Sequence, residues 1–253
     1  RDYGYGGTLL ARAGVARVKA RKHFAQHFLE AAGVDKLVAA LNLQPDDSIL
    51  EIGPGRGALT RPLAARTARV LAVEVDRDLA AALESEHLPN VSVMCADVLA
   101  IDLTEAIHRW LEEAAGSRAV RVVGNLPYNI SSPILFRLLE LAPAAGLLDA
   151  TLMLQKEVAD RLVARVGTSE YGVLTMLTAL GADVTRVLSL PPGAFRPAPK
   201  VSSAVVRLSF RPATVSIGDE KLLGRMIRSM FSGVGANRSI PSAMHRALRS
   251  TEK

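Results

Sequence analysis

One cysteine, Cys95, stands in a chain of 253 residues. A lone cysteine cannot close an internal disulfide, which excludes a disulfide-stapled fold and fits a reducing compartment. Set in the apolar run VSVMCADV with no catalytic signature around it, Cys95 is expected to be a small buried hydrophobe. No apolar stretch reaches membrane-spanning length. The longest, LLELAPAAGLLDATLML, is broken by Glu140, Pro143 and Asp149. Residues 1–24 lack the apolar centre of a secretory signal, so a cytoplasmic protein without a membrane partner is expected. Internal repeats, heptad arrays and low-complexity tracts are also missing. What remains is an ordinary globular composition, 49% apolar, at a length that suits one large domain with a small appendage.

The net charge of +6 is unevenly spread. Residues 1–29 hold six Lys/Arg against one Asp, and residues 196–253 hold eleven against three acids. The stretch between, 30–195, holds fourteen bases against twenty-one acids. Basic flanks around an acidic centre suit an enzyme whose edges hold a polyanion, although charge alone leaves plain solvation open.

The middle of the chain alternates short β-rich apolar runs with segments of helical spacing. Strands are predicted at 48–53, 70–76, 91–98, 120–126 and 150–155, with helices at 77–87, 103–116 and 132–142 between them. Alternation of this kind implies a parallel sheet covered on both faces. Beyond residue 155 the pattern changes. KEVADRLVARV and YGVLTMLTALG read as helices, while DVTRVLSL and SSAVVRLSF (202–210) read as strands joined by the stiff loop PPGAFRPAPK. A boundary is expected near residue 212, with a helix at EKLLGRMIRSMF behind it.

Chemistry gathers at the carboxyl ends of the predicted strands. LEIGPGRGALT places Gly53, Gly55 and Gly57 between the first strand and a helix, where glycine permits a tight turn and close ligand approach. Glu74 ends the second strand, placed to accept from ribose hydroxyls. Gly53, Gly55 and Ala58 also satisfy the dinucleotide fingerprint, so these features alone do not choose between a nicotinamide cofactor and S-adenosylmethionine. Asp97, at the end of the third strand, favours the latter, because its carboxylate suits an adenine amino group. The fourth strand ends in Asn125-Leu126-Pro127-Tyr128. The Asn125 amide oxygen and the Leu126 main-chain oxygen are acceptors, Pro127 stiffens the turn, and Tyr128 offers a face for a base. That set suits an exocyclic purine amine, whose methylation by a sulfonium donor needs positioning and electrostatics rather than a strong base. No catalytic His or Cys is then required.

The segments ARKHFAQHFL, LEIGPGRGALT, VEVDRDL, ADVL, GNLPYNIS, MLQKEVADRL, YGVLTML and AFRPAPKVSSAVVRL run in order from Ala20 to about Leu208. Together they resemble the ribosomal RNA adenine dimethyltransferase family, in particular its bacterial small-subunit branch. The resemblance implies an α/β, Rossmann-like seven-stranded methyltransferase sheet followed by a small helical domain. The expected division is an extension at 1–19, a methyltransferase domain at 20–212 and a short, truncated or divergent helical domain at 213–253. It implies S-adenosylmethionine as donor, S-adenosylhomocysteine as product and no metal. Cofactor contacts fall on His27, Leu29, Gly53, Glu74, Asp97 and Asn125, with Gln26 shaping the same pocket and Gly55 in the loop. Asn125, Leu126, Pro127 and Tyr128 are the catalytic set, and Phe195 is expected to face the substrate and stack on the base with Tyr128. Arg21, Lys22, Arg196 and Lys200 are expected phosphate contacts. The implied substrate is a pair of adjacent adenines near the 3′ end of small-subunit ribosomal RNA, met in a pre-ribosomal particle by a monomeric enzyme. Three other readings stay open: a large-subunit enzyme of the resistance type, an assembly factor whose catalysis is dispensable, and a nicotinamide dehydrogenase. The sequence departs from the family pattern at His23 and Ala25 and in the C-terminal text SGVGANRSIPSAMHRAL.

Overall fold

The computed structural model describes residues 28–113 and 119–211. Gln26, His27, Arg21 and Lys22, the extension at 1–19 and the predicted helix and domain beyond residue 212 lie outside the described residues.

The described chain runs β1 (Phe28–Leu29), α1 (Ala31–Leu41), β2 (Ser48–Ile52), α2 (Thr60–Ala64), β3 (Arg69–Glu74), α3 (Arg77–Glu84), β4 (Val91–Cys95) and α4 (Leu103–Glu112). It continues through β5 (Val120–Asn125), α5 (Ser131–Ala145), β6 (Leu147–Gln155), α6 (Lys156–Leu162), α7 (Val173–Thr178), β7 (Ala182–Leu190), β8 (Phe195–Arg196) and β9 (Ser203–Phe210). Seven strands form one sheet in the order β4-β3-β2-β5-β6-β9-β7. The five from β4 to β6 are parallel, whereas β9 runs antiparallel to both β6 and β7. The sheet is therefore mixed, not parallel throughout.

Successive strand residues face opposite layers. Ile49, Val70, Val123, Met153 and Val205 point toward α1 and join Leu37 and Leu41 of that helix. Leu50, Leu71, Val122, Leu152 and Val206 point the other way, against Ile107 and Trp110 of α4 and Leu135 and Leu138 of α5. Each such side chain, when fully buried, contributes roughly 1.5–3 kcal/mol. β2, β3 and β5 are dominated by apolar residues and are buried at nearly every position because both of their faces are covered.

β4 is different. It is an edge strand, and none of its residues is fully buried: Val91, Val93 and Met94 are half-buried, Ser92 and Cys95 exposed. Cys95 at its end is exposed, not buried as its apolar neighbours suggest, because no strand flanks it on the outer side.

At the amino-terminal edge of the sheet, Arg121 of β5 ties four segments together. Its guanidinium donates to both Asp149 oxygens of β6 at 3.0–3.2 Å and to Asp47 Oδ2 at 2.8 Å. It also donates to the carbonyl of Leu41 at 2.9 Å and of Asn42 at 3.3 Å, the orphan acceptors at the end of α1. Arg207 of β9 adds a bond to Ala40 O at 2.7 Å.

Candidate active site

The direction in which the chain builds the sheet reverses between β2 and β5, and the carboxyl ends of these neighbours open a crevice of the kind that takes ligands. The glycine loop forms one wall. Gly53, Gly55 and Gly57 have φ values of +69°, +56° and +74°, a region L side chains rarely enter. A Cβ at Gly53 would stand 4.0 Å from the main-chain oxygen of Asn125, so the two strand ends approach closely here.

Glu74 closes the loop from below. Its Oε2 accepts from Gly55 N at 3.0 Å and its Oε1 from Asp76 N at 3.0 Å. Asp76 in turn caps α3, accepting from the N–H groups of Asp78 and Leu79 at 3.0 and 3.3 Å. Asp97 lies two residues past the end of β4, not within it, and its Oδ1 accepts from Leu99 N at 2.9 Å. Exposed Val75 adds an apolar side chain to the lining of the cleft.

The opposite wall follows β5. Leu126 is buried and its N–H donates to Met153 O at 3.3 Å. Gly124 makes this possible, since a Cβ there would meet Leu126 Cδ2 at 2.8 Å. Pro127 O accepts from Ile130 N at 3.1 Å and Tyr128 O from Ser131 Oγ at 3.2 Å, which holds the turn into α5. Half-buried Tyr128 sends its phenol oxygen to within 2.9 Å of Ser203 Oγ.

Of the residues expected from sequence, Leu29, Gly53, Gly55, Glu74, Asp97, Asn125, Leu126, Pro127 and Tyr128 all line this one cleft. Phe195 does not. Its ring is 1% exposed and packs with Leu29, Val34 and Leu37, so the expectation that it faces the substrate is corrected. The cause is the pairing of β8 with β1, which sets Phe195 opposite Leu29 and turns the ring inward. Arg196, the next residue, consequently points out. Its side chain is 77% exposed and pairs with Glu30 at 3.2 Å. Lys200 is exposed.

Sequence reading missed Glu51, the acid inside the apolar strand ILEIG. It is 2% exposed and lines the cleft, and neither its Oε2 nor Thr60 Oγ1 has a hydrogen-bond partner among the described residues. Burial raises its carboxyl to about 7; the nearby Thr60 hydroxyl opposes this and the Glu74 charge adds to it. Below the unfolded value near 4.5 both states hold the proton. Between 4.5 and about 7 the folded state keeps a proton that the unfolded chain releases, so stability falls as pH rises. Above that window the cost levels off at about 3 kcal/mol. In thermal melts without ligand, Glu51→Gln is expected to gain stability over the parent as pH goes from 5 to 8. An equal difference at both pH values would contradict the assignment.

No Lys or Arg lines the cleft among the described residues, whereas Glu51, Glu74 and Asp97 do. An anionic pyrophosphate would meet the carboxylates of Glu74 and Asp97 there; a sulfonium cation suits them. The donor set therefore fits S-adenosylmethionine and argues against a nicotinamide dinucleotide.

Comparison with known proteins agrees with this chemistry. The model of the family described as ribosomal RNA adenine dimethylase matches residues 17–252. A protein of Xylella fastidiosa named ribosomal RNA small subunit methyltransferase A is 43% identical over 216 residues, 84% of this chain and 78% of the relative. One of the same name from Leptothrix cholodnii is 45% identical over 215 residues, 84% and 75% of the two chains. Among solved structures, a dimethyladenosine transferase from Plasmodium falciparum superposes with a TM-score of 0.65 at 28% identity, covering 81% of this chain and 71% of that one. The 23S rRNA methyltransferase ErmE gives 0.64 at 30% identity, covering 85% and 83%. With a glycine-walled acidic cleft beside Asn125–Tyr128 and a family match over nearly its whole length, the chain belongs to the ribosomal RNA adenine dimethylase family.

Proposed function

We propose that this chain transfers methyl groups from S-adenosylmethionine to N6 of two adjacent adenines near the 3′ end of small-subunit ribosomal RNA, giving N6,N6-dimethyladenosine during small-subunit maturation in the cytoplasm. The observation that carries the reading is the convergence of an acidic cleft, with no Lys or Arg among its described lining residues, with Asn125, Leu126 and Tyr128 on one rim.

When bound, the donor supplies an electrophilic methyl on a sulfonium. The protein's residues divide the remaining work. Glu74 and Asp97 are placed to hold the ribose and adenine of the donor, Gly53 and Gly55 let it approach the main chain, and Leu29 and Val75 give apolar contact. Asn125 Oδ1 and Leu126 O accept from the target N6 hydrogens, which draws the nitrogen's lone pair out of conjugation and directs it. Tyr128 receives the unstacked base, returning about 1–3 kcal/mol of the cost of extruding it. No side chain has to act as a strong base, because the amine loses its proton after transfer. The basic stretch at 196–253, eleven Lys/Arg against three acids, and that at 1–29 supply phosphate contacts. We place the enzyme as a monomer on a pre-ribosomal particle.

A large-subunit specificity is favoured by the likeness to ErmE at 30% identity, against relatives at 43% and 45% that carry the small-subunit name. Incubation with labelled donor and unmethylated small or large subunits, followed by nucleoside analysis, decides. Labelled dimethyladenosine in the small subunit is expected. Its absence while the donor still binds would reject the reading.

A further inference from the structure

Tyr128 is held at both ends. Its main-chain oxygen accepts from Ser131 Oγ, and its phenol oxygen lies 2.9 Å from Ser203 Oγ. Ser203 has no solvent exposure and opens β9, with Gln155 of β6 and Leu190 of β7 opposite it in register. Because β9 runs antiparallel to β6, its first residue sits at the end of the sheet where the cleft opens. A half-buried phenol at a rim can be hydrated by solvent; this one meets a hydroxyl set inside three paired strands. The link to Ser203 restrains the tilt of the ring.

We propose that Ser203 is a positioning residue that acts through Tyr128, and that the second of the two methyl transfers to each adenine depends on it more than the first. This rests on reading the cleft as the site of adenine methylation. An unmethylated N6 carries two hydrogens and meets two acceptors, Asn125 Oδ1 and Leu126 O. After the first transfer and loss of a proton, one hydrogen remains and a methyl occupies the other place. One hydrogen bond is lost, and the base is located more by its contact with the Tyr128 ring. In the second step the N6 lone pair bonds to the methyl carbon and the carbon–sulfur bond breaks with its pair on sulfur. The last N6 proton passes to water. A ring free to tilt costs this step most.

Single-turnover rates on small subunits carrying unmethylated or singly methylated target adenines test the proposal. For Ser203→Ala the first-step rate is expected to fall by less than about threefold and the second by about tenfold, so that monomethyladenosine accumulates. Tyr128→Phe keeps the ring, removes only a half-buried hydroxyl and should give the same pair of changes, with the double variant no slower than either single one. A 2-aminopurine at the target position should show weaker stacking quench in both variants, while calorimetric donor affinity stays unchanged. Equal loss in both steps, additive effects, or an unchanged quench would overturn the role of Ser203. If the parent enzyme transfers no methyl to small subunits, the reading of the cleft fails instead, which is a separate result.

Discussion

Replacing Asn125 with alanine is expected to lower the rate of methyl transfer about 10²–10³-fold without unfolding the protein. Asn125 stands at the end of β5, half-buried, where its side chain contributes little to the core. The loss arises at the reacting nitrogen. With one of two acceptors gone, the N6 lone pair stays conjugated with the ring and its direction is no longer set. Donor affinity should change far less, by about tenfold at most, since a single hydrogen bond contributes about 0.5–1.5 kcal/mol. Single-turnover transfer and donor calorimetry on the same variant separate the two effects. A variant that methylates at the parent rate would remove the amide from the mechanism. A variant that cannot methylate yet still binds and matures particles would favour the assembly-factor reading.

Arg121→Ala is expected to cost about 3–5 kcal/mol of stability, because it leaves Asp149 and Asp47 close together and partly buried without their cation. Two carbonyls at the end of α1 lose a donor as well. For a domain of this size the melting temperature should fall by roughly 10–15 °C. The cluster lies at the amino-terminal edge of the sheet, opposite the cleft. Donor affinity measured well below the transition should therefore stay within about twofold of the parent. A melting shift of only one or two degrees would show that the network is not the clamp its geometry describes.

These two residues illustrate how legible the chain was. Asn125 could be found because its signal is local: an amide, a proline and an aromatic ring follow an apolar run at a strand end. The strands were legible for a related reason. β2, β3 and β5 are buried on both faces, so apolar residues dominate each of them. Arg121, Glu51 and Ser203 were not legible as functional groups. The surroundings of each are set by tertiary structure: Asp149 reaches Arg121 across 28 positions, Tyr128 reaches Ser203 across 75, and Glu51 is buried beside the cleft. The only local hint was a charge inside an apolar strand, in VRVVG and ILEIG. Phe195 was misplaced because the prolines around it describe an exposed loop, while the pairing of Leu29 with Phe195 turns the ring into the core. Cys95 failed for the same kind of reason: an edge strand and a central strand can share one composition.

A crystal structure of the protein with a non-reactive donor analogue and a short RNA carrying the target adenines tests the central claim most directly. The account predicts the donor between Gly53 and Asp97, the target base against Tyr128, and its N6 about 3 Å from both Asn125 Oδ1 and Leu126 O. A purine bound away from this rim, or a Tyr128 ring walled off from it by the core, would contradict the account.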